Sequence, residues 1–274
     1  MPLWKRVAIM LDKLLFGRYI QGSSLVHRLD PRAKLIGAFY FIIVIFLANN
    51  WQTYLIMTLF TFLCVILSDI KLSVFLNGVK PLIWLILFTV LLQILFTRGG
   101  ETYLVLGPIS ITSFGVINGA FIFMRFVLII FISTLLTLTT MPLSLTDAIE
   151  KLLGPLKRFK VPVHEIALML SIALRFVPTL MDEASKIMNA QRARGVEFGE
   201  GNIVKQMKAV TPILVPLFVS SFNRADELAN AMEARGYQGG EGRTKYRILD
   251  WQKRDTLSML AFVALTGLLL FFRS

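Results

Sequence analysis

The sequence reads as an all-α integral membrane protein with about five transmembrane helices. They carry a cytoplasmic, interfacial module of one short and two long crossing helices. Three observations lead there. Of 274 residues, 55% are hydrophobic and only 17% charged. Five stretches are long and apolar enough to span a bilayer. The positive charge gathers in two blocks between them. Soluble domains are nearer about 45–50% apolar and about 25% charged, so a compact globule of this composition would lack the polar surface to cover itself. That excludes an ordinary soluble enzyme. Disorder requires low hydrophobicity and is excluded too. The single cysteine, Cys64, excludes a disulfide-stapled fold.

Residues 1–32 form a cytoplasmic N-terminal arm, partly amphipathic and rich in Lys and Arg. No long apolar core and cleavage site follow Lys5 and Arg6, so the arm reads as retained rather than as a signal peptide. Residues 33–140 hold transmembrane helices 1–4. Asp30-Pro31 suits the start of the first, with Asp as cap and Pro in the first turn. Leu35 to Ser68 contains no charge. It is too long for one span of about 20 residues, and Asn49-Asn50-Trp51-Gln52 interrupts it. Two spans, about 33–49 and 52–68, follow from that. A third covers Pro81 to Thr97 and a fourth Phe114 to Thr140. Between these two, β-prone runs flank Gly107-Pro108, compatible with a small hairpin or an irregular cap.

Residues 141–250 change character. Leu145, Ile149, Leu152, Leu153 and Leu156 recur at helical spacing beside Lys151, Lys157, Arg158 and Lys160. This is the pattern of a short interfacial helix, bounded by Pro155 and Pro162. Two long helices follow, about 163–195 and 203–236, each capable of reaching roughly 50 Å. Each is apolar first and charged and Ala-rich afterwards, and Pro178, Pro212 and Pro216 are expected to bend them. Residues 251–274 carry the last span, Thr256 to Phe272.

Lys and Arg mark cytoplasmic loops. They fill the N-terminal arm, are absent around Asn49, and return as Lys71 and Lys80. The 98–113 loop holds only Arg98, and seventeen lie between Lys151 and Arg254. The N-terminus and the long basic segment are therefore expected in the cytoplasm and the C-terminus outside.

A shift of 41 positions superposes the ends of the two long helices. Asn189-Ala190 falls on Asn230-Ala231, Ala193-Arg194-Gly195 on Ala234-Arg235-Gly236, and Gly199-Glu200-Gly201 on Gly240-Glu241-Gly242. Nine of the twenty positions from 182 to 201 match. Such self-similarity marks a structural unit used twice. One Ala-Arg-Gly alone reads as a helix stop, since Gly ends helices and Arg complements the dipole. Two in matching contexts present two equivalent, always-charged probes that grip carboxylates bidentately. They suit a partner with two matching acidic grooves, such as a dimer.

These paired motifs, with Leu25-Val26-His27-Arg28-Leu29-Asp30-Pro31-Arg32-Ala33-Lys34-Leu35 before the first span and Tyr237 and Arg243-Thr244-Lys245-Tyr246-Arg247 behind the second motif, resemble the transmembrane T component of energy-coupling factor (ECF) transporters. The likeness covers nearly the whole chain, and the arginine motifs are its specific part. It implies a non-catalytic scaffold in the membrane of a prokaryotic cell, part of an ATP-driven importer of vitamins or other micronutrients. It implies as partners two ABC ATPase subunits and a small membrane substrate-binding S component. Ala193, Arg194, Gly195, Ala234, Arg235 and Gly236 would be the ATPase-docking residues. The ATP, with Mg, would be used by the partner ATPases, and no cofactor or metal by this chain.

Two other classes compete. A membrane enzyme needs a cluster of chemistry-bearing residues. Cys64, His27 and His164 form none in sequence, and Gly239-Gly240-Glu241-Gly242 lacks the Lys-Ser/Thr of a phosphate-binding loop. A stand-alone secondary transporter or channel places ionisable groups near the midplane. Only Arg125 qualifies, with no acidic residue inside the spans to pair with it. Its expected role is to snorkel or to pair in the subunit interior. The basic cluster from Arg243 to Arg254 precedes a span directly, so topology accounts for it without nucleic acid.

Overall fold

A computed structural model describes residues 19–106, 109–196, 198, 203–239 and 249–273. Residues 1–18 of the N-terminal arm lie outside the described residues. So do Gly107-Pro108, the Gly199-Glu200-Gly201 and Gly240-Glu241-Gly242 turns, and the Arg243–Arg247 cluster. The elements in chain order are α1 (Pro31–Val44), α2 (Trp51–Leu67), α3 (Leu72–Val79), α4 (Ile83–Phe96), β1 (Thr102–Leu106), β2 (Ile109–Thr112), α5 (Ser113–Thr139), α6 (Pro142–Leu152), α7 (Val163–Ala193), α8 (Ile203–Ala234) and α9 (Lys253–Phe272). The protein is an all-α membrane protein with one small hairpin among the described residues.

The chain divides into two compact units. One comprises Tyr19–Met141 with Leu249–Ser274, and the other contains Pro142–Ile248. In the first, α5 is the central helix and packs against α1, α2, α3 and α4, while α9 packs against α1 and α2. Phe41, Ile45, Met57, Phe75 and Leu269 are fully buried between these helices. The opposite faces carry bare Ile43, Leu59, Leu85 and Trp84, the last 81% exposed, which in water would be untenable and in lipid is ordinary. Two buried threonine hydroxyls are satisfied within their own helices. Thr61 donates to Met57 O at 2.8 Å and Thr139 to Leu135 O at 2.8 Å. Gly37 lets α1 meet α9 closely. A Cβ there would stand 2.6 Å from the Phe262 ring.

Asp30 caps α1 as expected, accepting the Arg32 N–H at 2.8 Å, with Pro31 in the first turn. Its own N–H donates to Asp255 Oδ1 at 2.7 Å, and Asp255 Oδ2 accepts the Gln252 N–H at 2.7 Å. A single carboxylate, fully buried, thus ties the start of α9 to the start of α1. Arg32 bridges Asp30 Oδ2 at 2.9 Å and Leu249 O at 3.0 Å. Lys34 reaches Thr139 O at 2.8 Å and His27 O at 3.2 Å, placing a cation on the last turn of α5, where the helix dipole favours it.

By length and hydropathy, Leu72–Phe96, Ser113–Thr139, Val163–Ala193 and Lys253–Phe272 are long and apolar enough to cross a membrane, and Trp51–Leu67 is a shorter apolar helix. The third span therefore starts earlier than Pro81. A 3-10 turn at Lys80–Leu82 joins α3 to α4, because a proline in a first-turn position needs no N–H partner. The 98–113 loop is a hairpin, β1 pairing antiparallel with β2 from Thr102↔Thr112 to Leu106↔Ile109. Arg125 lies over the Phe46 ring, 4.9 Å from its centroid, a cation–π contact.

Candidate functional site: two equivalent helix ends

The second unit is built on α6, α7 and α8. Pro142 opens α6, a 3-10 turn over Gly154–Phe159 follows, and Pro162 precedes α7. His164 Nδ1 meets Glu150 Oε1 at 3.2 Å, tying α7 back to α6. α7 runs 31 residues and α8 runs 32, each roughly 47 Å long.

The two long helices are antiparallel. Glu183 of α7 accepts from Ser220 and Arg224 of α8, the latter at 3.2 Å. Gln191 reaches Pro212 O at 3.5 Å, so rising numbers on α7 meet falling numbers on α8. Pro216 has no N–H to donate to that Pro212 carbonyl, and the Gln191 amide approaches it from the other helix. Arg224 also lies 5.8 Å from the Phe176 ring centroid. Glu183 and Arg224 are 41 positions apart, the repeat interval itself. At this bond equivalent residues of the two copies meet, and the helix pair has a local pseudo-two-fold relation there. Composition and hydropathy do not reveal this link. The signal was present, as opposite charges at superposed positions.

Both helices stop in the same way. At the end of α7, Gly195 N donates to Arg192 O at 2.9 Å and Val196 N to Gln191 O at 3.0 Å. At the end of α8, Gly236 N donates to Glu233 O at 2.8 Å and Tyr237 N to Met232 O at 3.0 Å. Each is a Schellman closure, and every atom pair matches under the 41-residue shift. Gly195 has φ +86° and Gly236 φ +71°, a left-handed conformation that side chains resist. The glycines are thus required by the turn. Apart from the chain neighbours and the glycine's own helix, no atom of the described residues lies within 4 Å of where a Cβ would stand on either, so packing against them does not require glycine.

The turns leave Arg194 and Arg235 exposed, together with Ala193 and Ala234. Neither guanidinium pairs with a described residue. Each arginine stands eleven residues beyond its member of the Glu183–Arg224 pair, about 17 Å along the helix. The antiparallel arrangement puts them at opposite ends, roughly 30 Å apart along the pair. The apolar halves of the same helices expose Met169, Leu170, Leu214, Val215, Phe218 and Phe222. No group of three or more His, Cys, Asp or Glu that could hold a metal occurs among the described residues. Arg175 is exposed on α7.

A membrane-spanning helical unit, joined in sequence to a helix pair with two equivalent arginine-bearing ends, defines the class as a multi-pass membrane protein with a duplicated, exposed cationic helix end. Its relatives define it further. Residues 22–246 match the CbiQ family, described as cobalt transport protein. The chain is 67% identical over 264 residues to the energy-coupling factor transporter transmembrane protein EcfT of Lacticaseibacillus paracasei, covering 96% of this chain and 100% of that one. It is 62% identical to the EcfT of Streptococcus equi subsp. equi (95% and 97% covered) and 60% identical to EcfT 1 of Listeria monocytogenes (97% and 100%). The chain belongs to the CbiQ family and, within it, to the transmembrane proteins of energy-coupling factor transporters. Those relatives are named as transmembrane proteins of energy-coupling factor transporters.

Proposed function

We propose that this chain is the scaffold and energy-coupling subunit of an ATP-driven ECF importer of vitamins or other micronutrients. The carrying observation is the pair of identical helix ends displaying Arg194 and Arg235. Their equivalence calls for two equivalent receptors, and two ABC ATPase subunits meet that requirement. Ala193, Arg194 and Gly195 dock on one, and Ala234, Arg235 and Gly236 on the other. An Arg at a rigid helix tip suits a bidentate grip on a carboxylate in the partner's groove.

The coupling follows from the geometry. The Glu183 bond pins α7 to α8 about two-thirds of the way along each helix. When ATP draws the two ATPases together, force enters at the far ends of the crossed pair and the helices pivot about that bond. Their apolar halves then press on the S component, which holds the cargo. This chain binds neither cargo nor nucleotide, and ATP with Mg acts in the partners. We place the N-terminus and the helix pair at the cytoplasmic face and the C-terminus outside, on the distribution of Lys and Arg.

The test is purification of the tagged chain from its native membrane. Two ATPases and one small hydrophobic protein recovered with it support the reading. A lone chain that moves solute by itself in liposomes overturns it in favour of a secondary transporter or channel.

A further inference from the structure

An apolar groove of about 310 Å³ opens into the membrane unit, within the range of about 300–1,000 Å³ of ligand sites. Small residues on three helices create it, namely Ala33 and Ala38 on α1, Cys64 on α2 and Ala261 on α9. Its polar end carries Lys34, Thr139 and Arg254, and from there the lining runs to Ala38, Ile132 and Phe262. That is four residues on α1 and seven or eight on α5 and α9, about 11 Å along the longer two, a good part of one leaflet's roughly 15 Å of hydrocarbon. The charge is all at the mouth, and it is positive. Arg254 is exposed and pairs with no described residue. Lys34 gives two of its three N–H bonds to the His27 and Thr139 carbonyls. An acidic residue is absent from the lining. A basic mouth above an apolar slot between transmembrane helices fits an anionic lipid.

We infer that this groove holds one acyl chain of an anionic phospholipid, with the headgroup phosphate at Arg254 and Lys34. The site is separate from the helix ends of the other unit and does not depend on their role. Bound there, the lipid fills the gap left by the small residues and braces α1, α2, α5 and α9 against one another.

The experiment uses the full-length chain in vesicles, with phosphatidylglycerol carrying a photoreactive diazirine on one acyl chain as the probe. Labelling is expected on peptides bearing Cys64 or Ala261. It is expected at least fivefold above that of a phosphatidylcholine probe with the same chains. Ala261→Trp fills the slot at an exposed position, away from the buried core, and is expected to remove the label from the Cys64 peptide. Arg254→Gln is expected to bring the two lipids within twofold of each other. Circular dichroism melting serves as the folding control for both variants. Equal labelling by the two lipids in the wild type, or labelling unchanged by Ala261→Trp, overturns the inference. So does a thiol–amine cross-link from Cys64 to residues 1–18 that added lipid does not reduce, since the chain's own arm would then be the occupant.

Discussion

Glu183 and Arg224 hold the same position in two copies of a repeated segment, and they bond to each other at 3.2 Å. A repeat whose equivalent residues meet is a repeat folded back on itself. The bond thus marks the local pseudo-two-fold that relates the two helix ends. Partial exposure, 33% for Arg224 and 24% for Glu183, keeps its strength modest, near about 1 kcal/mol. In the proposed coupling it stands at the pivot, which gives it more consequence than its energy.

Reversing the pair tests that. Glu183→Arg alone or Arg224→Glu alone puts like charges together and is expected to lower the melting temperature and the transport rate. The double reversal is expected to restore both to a large extent. A double-mutant cycle on transport rate measures it, with coupling near zero as the contrary result.

The glycines at the helix ends are conformational requirements. Gly195→Ala and Gly236→Ala are each expected to cost roughly 1–2 kcal/mol locally, the penalty for a side chain in the left-handed region. Asn at either position is expected to cost less than Ala, because Asn tolerates that region. Hydrogen exchange of the Val196 and Tyr237 amides, which close the two turns, reads the effect directly.

Asp255 is the latch of the membrane unit. Asp255→Ala leaves the Asp30 N–H and the start of α9 without an acceptor, a loss of about 2 kcal/mol. Asp255→Asn keeps one acceptor oxygen and is expected to lose less. Thermal melting in detergent ranks the three proteins, and equal melting points contradict the latch.

Gly37 is a spacing requirement. Gly37→Leu is expected to force the Phe262 ring aside, since even a Cβ would stand 2.6 Å from it. Phe262→Ala in the same chain is expected to recover part of the stability, and melting of the single and double variants checks this.

Much of this was legible in the sequence because the signals were local. Charge-free runs marked the apolar helices, Asp30-Pro31 marked the start of α1, and each Ala-Arg-Gly marked a left-handed stop. What hydropathy could not show were the bonds between distant segments. Asp255 meets Asp30 across 225 positions, and no periodicity announces that. The continuous helical stretch through Lys80-Pro81 was hidden because a charge followed by a proline reads as a loop, while a 3-10 turn accommodates both. The Glu183–Arg224 bond was visible in principle, since the interval that revealed the repeat also superposes those opposite charges.

The central claim is that Arg194 and Arg235 carry the docking of the ATPases. The direct measurement is the recovery of ATPase subunits with the tagged chain when both arginines are replaced, as Arg194→Glu with Arg235→Glu. Both side chains are exposed and unpaired with described residues, so the chain itself is expected to fold and reach the membrane at normal levels. Recovery of the ATPases is expected to fall at least tenfold in the double variant and by less in either single one. Normal recovery together with normal transport would contradict the account.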